Sequence, residues 1–437
     1  MKALTAMPSR PATEMKKILT TAILLVATAA AATAAPKKVT TFGHGEDIDS
    51  LTLYQALHHN APEDFQVSGV PSVALVGKNA KFLLGVGGYI KGVVGWDFGH
   101  PIPSADEFIT SHIPMTPPDG DGARFNLSAK QSHIFVNFVV LPGTGNEIGA
   151  FVSANFLNDY LPTLQFAYLK YRGLQVGYDY SFFSDPSCGA PAVDYEGPCS
   201  STSNPVAGAS YIWEPNPHGR WMLGAGIELP QTCYTTVDGK TKSVYQRFPD
   251  IPIAGRYAWN DGASWVRVSA ILRTLTYRNI PEAKNFNRFG YGFQLSGAVN
   301  FLEKLTLFYQ GVWGKGIASM IQDTVDQDLD LCPTDGGNEL SPVMLWGGYA
   351  ALQYDISRRF TASVTYSQLR TYAKEFSGGS TPWGDLYKYA QYVSANVFYH
   401  ATSYLDIALE HVWGRRVNYD GARAADNRLQ MGVQLSF

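Results

Sequence analysis

The stretch RLQMGVQLSF, residues 428–437, decides the fold of this chain. Apolar and polar side chains alternate strictly along it, the apolar ones being Leu429, Met431, Val433, Leu435 and Phe437. Such alternation predicts a β-strand with one apolar face and one polar face. An amphipathic strand that ends on an aromatic residue is typical of the last strand of a bacterial outer-membrane barrel, where aromatic side chains lie at the membrane interface.

The composition agrees with a membrane barrel and excludes two other classes. The 437 residues carry a net charge of −3, and their mean hydropathy is −0.10, which favours neither a nucleic-acid-binding protein nor a helical membrane protein. Glycine (42 residues) and tyrosine (25 residues) are abundant, whereas charged residues make up only 16%. Aromatic-rich, charge-poor sequences suit barrels whose outer girdles use aromatic side chains.

The N-terminal region has the features of an export signal. Lys16 and Lys17 precede an apolar, alanine-rich run, and residues 32–34 (Ala-Thr-Ala) fit a signal-peptidase site. A transmembrane anchor is the alternative, but the apolar run is short for one. We therefore predict a signal peptide over 1–34, with Met15 as the better start, because the charged segment follows it directly. A periplasmic lead-in, partly disordered, then covers 35–80, and a barrel covers 81–437.

Sixteen strands are predicted beyond the lead-in. Residues 36–76 are polar and irregular, with a short helix near Asp47–His58, and alternation begins at Lys81. The predicted strands are 81–98, 124–141, 145–157, 163–172, 174–184, 205–214, 220–230, 248–259, 264–278, 288–301, 305–315, 342–356, 359–373, 387–400, 404–417 and 427–437. Most are long enough to cross a membrane as tilted strands.

The connections between these strands alternate in length. Short turns are predicted at 142–145, 172–173, 216–219, 260–262, 303–304, 357–358 and 401–403. Long polar loops are predicted at 99–123, 185–204, 231–247, 316–341 and 374–386. Short turns at one rim and long loops at the other indicate an outer-membrane barrel with its short turns in the periplasm. A soluble sandwich has no physical reason to sort its loops in this way.

Parity within each strand assigns side chains to lipid or to the barrel interior. A charged side chain that faces lipid near the midplane costs about 2–4 kcal/mol, so charged and polar residues mark the inner face. This places Val266, Val268, Ala270 and Leu272 on lipid. The predicted pore-lining residues are His133, Asn137, Asn155, Glu228, Arg256, Arg267, Arg273, Asp406, Glu410 and Arg428. A barrel of sixteen strands is too wide for side chains to fill, which predicts a water-filled lumen. Alternatively, these charges pair with one another as a network in the wall.

Four cysteines, Cys188, Cys199, Cys233 and Cys332, in an exported chain suggest disulfide bonds. Cys188 and Cys199 bracket one loop and form the expected pair, whereas Cys233 with Cys332 would follow only by elimination. We expect loop 185–204 to fold into the lumen as a constriction. An ordinary stabilised surface loop is the alternative.

No cofactor, metal site or catalytic site is predicted. Asp326, Asp328 and Asp330 have spacing that suits calcium, but the loop lacks the glycine and terminal glutamate of an EF-hand, so a solvated acidic loop is favoured. Neither G-x-S-x-G nor H-E-x-x-H occurs, and no phosphate-binding loop is present. We expect a protein that is not an enzyme.

Five segments, in this order, resemble the DcaP-like trimeric porins. They are GGYIKGVVGWDF (87–98), KQSHIFVNF (130–138), LQVGYDYSFFSD (174–185), WGKGIASMIQD (313–323) and GRRVNYDGARAADNRLQMGVQLSF (414–437). The resemblance spans about 81–437. It implies a trimeric channel for small solutes, with small anions such as dicarboxylates favoured, in the outer membrane of a Gram-negative bacterium.

The resemblance also implies roles for individual residues. Arg416 joins the pore-lining set, since it matches a family arginine, as do Arg267, Arg273 and Arg428. His133 and Asn137 stand where the family often has arginine, which weakens the expected anion preference. The expected partners are outer-membrane lipid, the barrel assembly machinery, small solutes and two further copies of the chain, but no nucleic acid. A non-conducting barrel with a structural or adhesion role is the alternative function.

Overall fold

The computed structural model describes residues 39–66, 69–117, 122–215, 220–373 and 385–437. The predicted signal peptide, the turn at 216–219 and most of the loop at 374–386 lie outside these residues. The described chain forms one closed antiparallel sheet, to which a short N-terminal helix and several inward-folded loops are added.

Sixteen strands close the barrel, which confirms the predicted fold class and strand number. They are β1 (Phe82–Gly99), β2 (in two pieces, Ala123–Ser128 and His133–Val140), β3 (Ile148–Asn158), β4 (Leu161–Tyr171), β5 (Leu174–Tyr180), β6 (Pro205–Trp213), β7 (Trp221–Glu228), β8 (Ile251–Trp259), β9 (Ser264–Asn279), β10 (Lys284–Asn300), β11 (Leu305–Lys315), β12 (Met344–Ser357), β13 (Phe360–Thr371), β14 (Tyr387–His400), β15 (Leu405–Asn418) and β16 (Arg423–Ser436).

The remaining elements are short. Helix α1 is Ser50–Asn60, and five strands outside the barrel count are Thr40–Gly43, Val73–Val76, Thr241–Ser243, Leu331–Thr334 and Glu339–Pro342. Single 3₁₀ turns occur at Gly45–Asp47, Lys78–Ala80, Thr110–His112, Asn260–Gly262, Ala318–Met320, Gln322–Thr324 and Asp335–Gly337. No helix among the described residues is both long enough and apolar enough to cross a membrane.

Strand β2 is broken where the sequence predicted one continuous strand. A tight turn forms at the break, because the Ser132 amide donates to the Ala129 carbonyl and the Lys130 amide donates to the Ser128 hydroxyl. The Ser132 hydroxyl then accepts the Lys91 amide of β1. Side-chain hydroxyls thus replace ladder partners at the break, which alternation alone does not reveal.

The first and last strands close the barrel. In β16, Leu435 pairs with Ile90 of β1, and the Phe437 amide donates to the Gly88 carbonyl at 2.9 Å. The strand Val73–Val76 pairs with residues 83–86 of β1, directly beyond the end of β16. Thr40–Gly43 lies parallel beside that strand. The lead-in therefore continues the sheet at the seam.

The outer face is apolar, as parity predicts. In β9, Val268 is 58% exposed, whereas its neighbours Arg267 and Ser269 are only 3% and 1% exposed. The same pattern recurs around the barrel, for example at Leu127, Ile134 and Leu352. A continuous exposed apolar band is what a lipid-facing wall requires.

Three long loops fold into the barrel rather than away from it. We call them L1 (100–117 with 122), L3 (181–204) and L6 (316–343). Their apolar side chains form a core together with inward-facing residues of the wall. Representative members are Phe108 from L1, Phe183 from L3, Ile321 from L6, and Leu345 and Leu369 from the wall. This core joins the three loops to the inner face of the wall.

Candidate functional site

The lead-in occupies the mouth of the barrel at the short-turn rim. The Asn60 side chain donates to Asn137 of β2 at 2.7 Å, and the Tyr168 hydroxyl of β4 donates to the Asn60 carbonyl at 2.8 Å. Farther along, Glu63 reaches Arg256 of β8. Because one segment contacts strands from well-separated parts of the wall, it must lie within the lumen.

Helix α1 owes its position to a polar cap and an apolar face. Asp49 caps its N-terminus, accepting the Leu51 and Thr52 amides at 3.0 and 2.9 Å. Leu53 and Leu57 are buried against a cluster that includes Leu83 of the wall. The helix is therefore packed onto the inner face of the barrel. The sequence predicted this helix, but not its place inside the mouth.

An ion-pair cluster lies just beyond the helix. Glu63 lies 3.2 Å from Arg256 Nη1 and 4.0 Å from Arg267 Nη1. The positive charge of Arg256, aided by that of Arg267 and Lys170, lowers the pKa of Glu63 to about 2. The Glu63 side chain keeps 49% of its surface exposed. That exposed surface faces a cavity.

The cavity has a volume of about 1150 Å³. Its lining combines the lead-in from Thr52 to Asp64, the turns near Gly143 and Arg172, and the inner faces of β4 to β9. Cationic and anionic side chains both line it. The cations are Lys170, Arg172, Arg256 and Arg267, and the anions are Glu63, Asp64, Glu147, Asp179, Glu214 and Glu228.

Loop L3 forms the inner boundary of this cavity and is held to the wall by buried carboxylates. Glu228 accepts the Phe182 amide at 2.6 Å and the Ser181 hydroxyl at 2.7 Å. On the far side, Glu410 accepts the amides of Val193 and Asp194 at 3.1 and 2.8 Å. Anchors at both ends keep L3 across the lumen, which agrees with the expected constriction.

Several predicted pore-lining residues bind loops in the same way. Arg273 pairs with Asp250 at 3.0 Å and with Asp330 of L6 at 3.4 Å, and its side chain is fully enclosed. Arg428 pairs with Asp97 at 2.5 Å and donates to the Ser104 carbonyl of L1 at 2.7 Å. The alternative of a wall network therefore describes the surroundings of these two arginines well.

The remaining predicted residues are spread along the inner face. Asn155 donates to the Tyr195 hydroxyl of L3 at 3.3 Å, and Asp406 pairs with His400 at 2.7 Å. Arg416 donates to the Ser111 carbonyl of L1. His133 is 1% exposed, stacks on Tyr89, and has no partner for either ring nitrogen within the described residues.

The structure thus brings together only some of the predicted pore-lining residues. Glu228, Arg256 and Arg267 line one cavity, whereas Asn137, Arg273, Glu410, Arg416 and Arg428 hold the lead-in or the loops. That these side chains line a path for solutes stays a prediction.

The predicted disulfide between Cys188 and Cys199 is not formed in the structure, where all four cysteines are free and buried. The Cys188 sulfur contacts the Gly297 and Tyr309 carbonyls, whereas the Cys199 sulfur contacts Ser367. L3 stretches these two residues toward different strands of the wall, so spacing in the sequence was a poor guide to pairing. Cys233 and Cys332 are likewise unpaired.

The acidic segment of L6 agrees in part with the favoured solvated loop, because Asp326 and Asp328 are exposed whereas Asp330 is buried. Asp326 pairs with His112 of L1 at 2.6 Å, and Asp330 accepts the Cys233 and Ser319 amides at 3.1 Å. These carboxylates join loops to one another. Within the described residues, a cluster with metal-binding geometry occurs instead at the exposed His44, Glu46 and Asp47.

The sequence reasoning missed the residues of the lead-in that complete the cavity. Glu63 and Asp64 stand in a segment without strand periodicity, so parity cannot assign them a direction. A Cβ atom at Gly149 of β3 would overlap the side chain of Asn60, and one at Gly85 of β1 would overlap Pro71. Glycine at these wall positions makes room for the lead-in, but only the structure shows which segment fills that room.

The fold of the barrel is shared with a solved structure. The chain matches the outer membrane channel DcaP of Acinetobacter baumannii with a TM-score of 0.70 and 14% identity, over 83% of this chain and 99% of that one. This chain has the DcaP fold. The sequence resemblance to DcaP-like porins is thereby supported at the level of the fold.

Two further channels match the DcaP fold of this chain less closely. An anion-selective porin from Comamonas acidovorans has a TM-score of 0.51 at 10% identity, covering 82% of this chain and 100% of that one. The OmpF protein of Salmonella typhi, in complex with daunomycin, has a TM-score of 0.50 at 11% identity, covering 82% and 98%. No family model and no curated protein sequence matches the chain.

Proposed function

We propose that this protein is a passive porin for small hydrophilic solutes in the outer membrane of a Gram-negative bacterium. The observation that carries the proposal is a charged cavity of about 1150 Å³ inside a closed barrel whose outer wall is apolar. An apolar band suits lipid, and a polar interior suits water and solutes. The likeness to channels, including DcaP, supports the same conclusion.

Anion preference is the finer part of the proposal. Arg256 and Arg267 lie together on the inner face, and a solute entering from the short-turn rim meets them at the cavity. The cavity as a whole has more carboxylates than cations in its lining, but where these two arginines lie together their fixed positive charge raises the local concentration of anions. The Comamonas acidovorans barrel with a similar fold is described as anion-selective, which agrees with this preference. The porin is further proposed to act as a homotrimer with no catalytic activity.

Conductance in planar lipid bilayers tests the proposal. The purified barrel should insert in steps and conduct, and its reversal potential in asymmetric potassium chloride should show preference for chloride. Arg267→Ala should reduce that preference, because the change removes one cationic side chain from the cavity. Preference that is unaltered in this variant would contradict the proposed role of Arg267.

A non-conducting barrel is the second candidate function. It is favoured by the apolar core that L1, L3 and L6 build within the lumen, where Phe108, Phe183 and Ile321 are fully buried. Silent insertions in the same bilayer experiment, from protein that shows the heat-modifiable migration of a folded barrel, would support this alternative.

A further inference from the structure

The cluster at the mouth has the composition of an occupied anion site. Two guanidinium groups from adjacent strands, Arg256 of β8 and Arg267 of β9, face the Glu63 carboxylate, and Glu214 lies 4.0 Å from Arg256 Nη2. The arginines belong to the rigid wall, where Arg256 pairs directly with Arg267 in the strand register. Glu63 belongs to the lead-in, which enters the mouth as a separate segment. The arginines and the Glu63 carboxylate therefore belong to different parts of the fold.

The two arginines retain donors that Glu63 does not use. The Nε atoms of Arg256 and Arg267 are buried and have no hydrogen-bond partner within the described residues. Arg267 is only 3% exposed, and its Nη2 donates to the Phe182 carbonyl of L3 at 2.7 Å. A buried donor without an acceptor costs about 1–3 kcal/mol, so a ligand with more than one oxygen would be favoured here.

The distance between Glu63 and Arg267 also indicates that the arginines have unused hydrogen-bonding capacity. At 4.0 Å the contact is an ion pair without a direct hydrogen bond, whereas a guanidinium can bind a carboxylate through two parallel hydrogen bonds. Glu63 thus balances one of the two positive charges and uses only part of their hydrogen-bonding capacity. A carboxylate that lies closer to Arg267 could accept hydrogen bonds that Glu63 does not.

The chain segment around Glu63 is held mainly by contacts other than the carboxylate itself. Tyr180 donates to Asp64 at 2.6 Å, the Phe65 amide donates to the Pro186 carbonyl at 3.1 Å, and Lys170 donates to the Ala61 carbonyl at 3.3 Å. These contacts would keep the backbone in the mouth while the Glu63 side chain rotates into the cavity, where 49% of its surface is already exposed.

We propose that Arg256 and Arg267 form a binding site for a small carboxylate solute, and that Glu63 occupies this site as an internal ligand until a solute displaces it. The proposal deepens the anion preference proposed above and rests on it. An internal carboxylate on a short segment acts at an effective concentration on the order of mM. Solutes well below that concentration would compete poorly, so Glu63 sets a threshold for carboxylate entry.

Calorimetric binding of malonate, a small dicarboxylate probe, to the detergent-solubilised full-length barrel tests the site directly. If Glu63 fills the site nine-tenths of the time, Glu63→Gln should tighten malonate binding about tenfold, because the apparent affinity scales with the vacant fraction. Adding Arg256→Gln and Arg267→Gln to this variant should abolish the gain. Glu303→Gln, which removes the same charge from an exposed periplasmic turn, should bind malonate as the unaltered protein does.

Conductance of the same proteins separates this inference from the proposed function. Glu63→Gln should conduct with a stronger chloride preference than either the unaltered protein or Glu303→Gln. Malonate binding that is equal in all three proteins would overturn the internal-ligand proposal even if every one of them conducts. Tighter binding by Glu63→Gln in barrels that never conduct would keep the site and refute the porin.

Discussion

Glu410 shows how much a single inward carboxylate can hold in place. It accepts two amides from L3, the Asn396 side chain at 3.0 Å and the Gln430 side chain at 2.8 Å, and it is fully buried. Lys91 lies nearby and donates to the Val193 carbonyl at 2.9 Å. Removal of this carboxylate would leave four buried donors without their acceptor and would take an opposite charge away from Lys91.

We therefore expect Glu410→Ala to lower the free energy of unfolding by about 3–5 kcal/mol, the range for an uncompensated buried charge. Urea-dependent unfolding in detergent micelles, followed by tryptophan fluorescence, measures this change. His411→Ala, at the next and exposed position, is the control and should be close to neutral. A loss for Glu410→Ala no larger than that of the control would show that L3 is held by other contacts.

His112 and Asp326 form a pH-dependent contact between L1 and L6. The hydrogen bond that the His112 ring donates to Asp326 raises the pKa of His112 above its ordinary value of 6.5. The protonated form is favoured in the folded protein, so the contact contributes fully below pH 6.5 and is lost as the pH rises through the raised pKa.

Replacing Asp326→Asn should bring the pKa of His112 down towards 6.5, as followed by histidine NMR signals in micelles. Asp420→Asn, in the turn between β15 and β16, should leave that pKa unchanged. Equal titration of His112 in both variants would mean that Asp326 does not contribute to it.

At the scale of elements, helix α1 depends on a wall position without a side chain. Asn60 lies against Gly149 of β3, where a Cβ atom would overlap its amide group. Gly149→Ala should therefore disturb the hydrogen bond from Asn60 to Asn137, at a cost of about 1–3 kcal/mol for overpacking. Limited proteolysis within 50–66 should become faster. Gly92→Ala, where a Cβ atom meets nothing within 4 Å, should leave the cleavage rate unaltered.

The strands were predictable from the sequence, and the inward loops were predictable only in part. Alternation is a local property, so β9 could be oriented from Arg267 and Val268 alone. The contact between Val193 and Glu410 joins residues 217 positions apart, and no local pattern encodes it. The lead-in likewise lacks periodicity, which is why Glu63 could not be assigned a role. The cysteine pairing was wrong for the same reason, since L3 crosses the lumen instead of closing on itself.

At the scale of the molecule, the free cysteines can be tested by chemical labelling and by gel electrophoresis. The four described cysteines are free and at most 7% exposed. The folded barrel should not react with a maleimide reagent, whereas the heat-denatured chain should react at all four positions. Migration before and after heating should be the same with and without reductant. A shift caused by reductant alone would show a disulfide and contradict the structure.

The strand Val73–Val76 limits how the barrel can be closed. It already pairs with residues 83–86 of β1, so the C-terminal end of the chain can pair only from Gly88 onward. In a barrel, the stagger between the first and last strands fixes the strand tilt and the diameter. A shift of β16 by two residues towards the short-turn rim would keep its apolar side chains on the outer face. The shifted strand would, however, meet backbone groups of β1 that are already hydrogen-bonded to Val73–Val76. The pairing of Val73–Val76 with β1 therefore favours one stagger, and with it one barrel width, among those that alternation would permit.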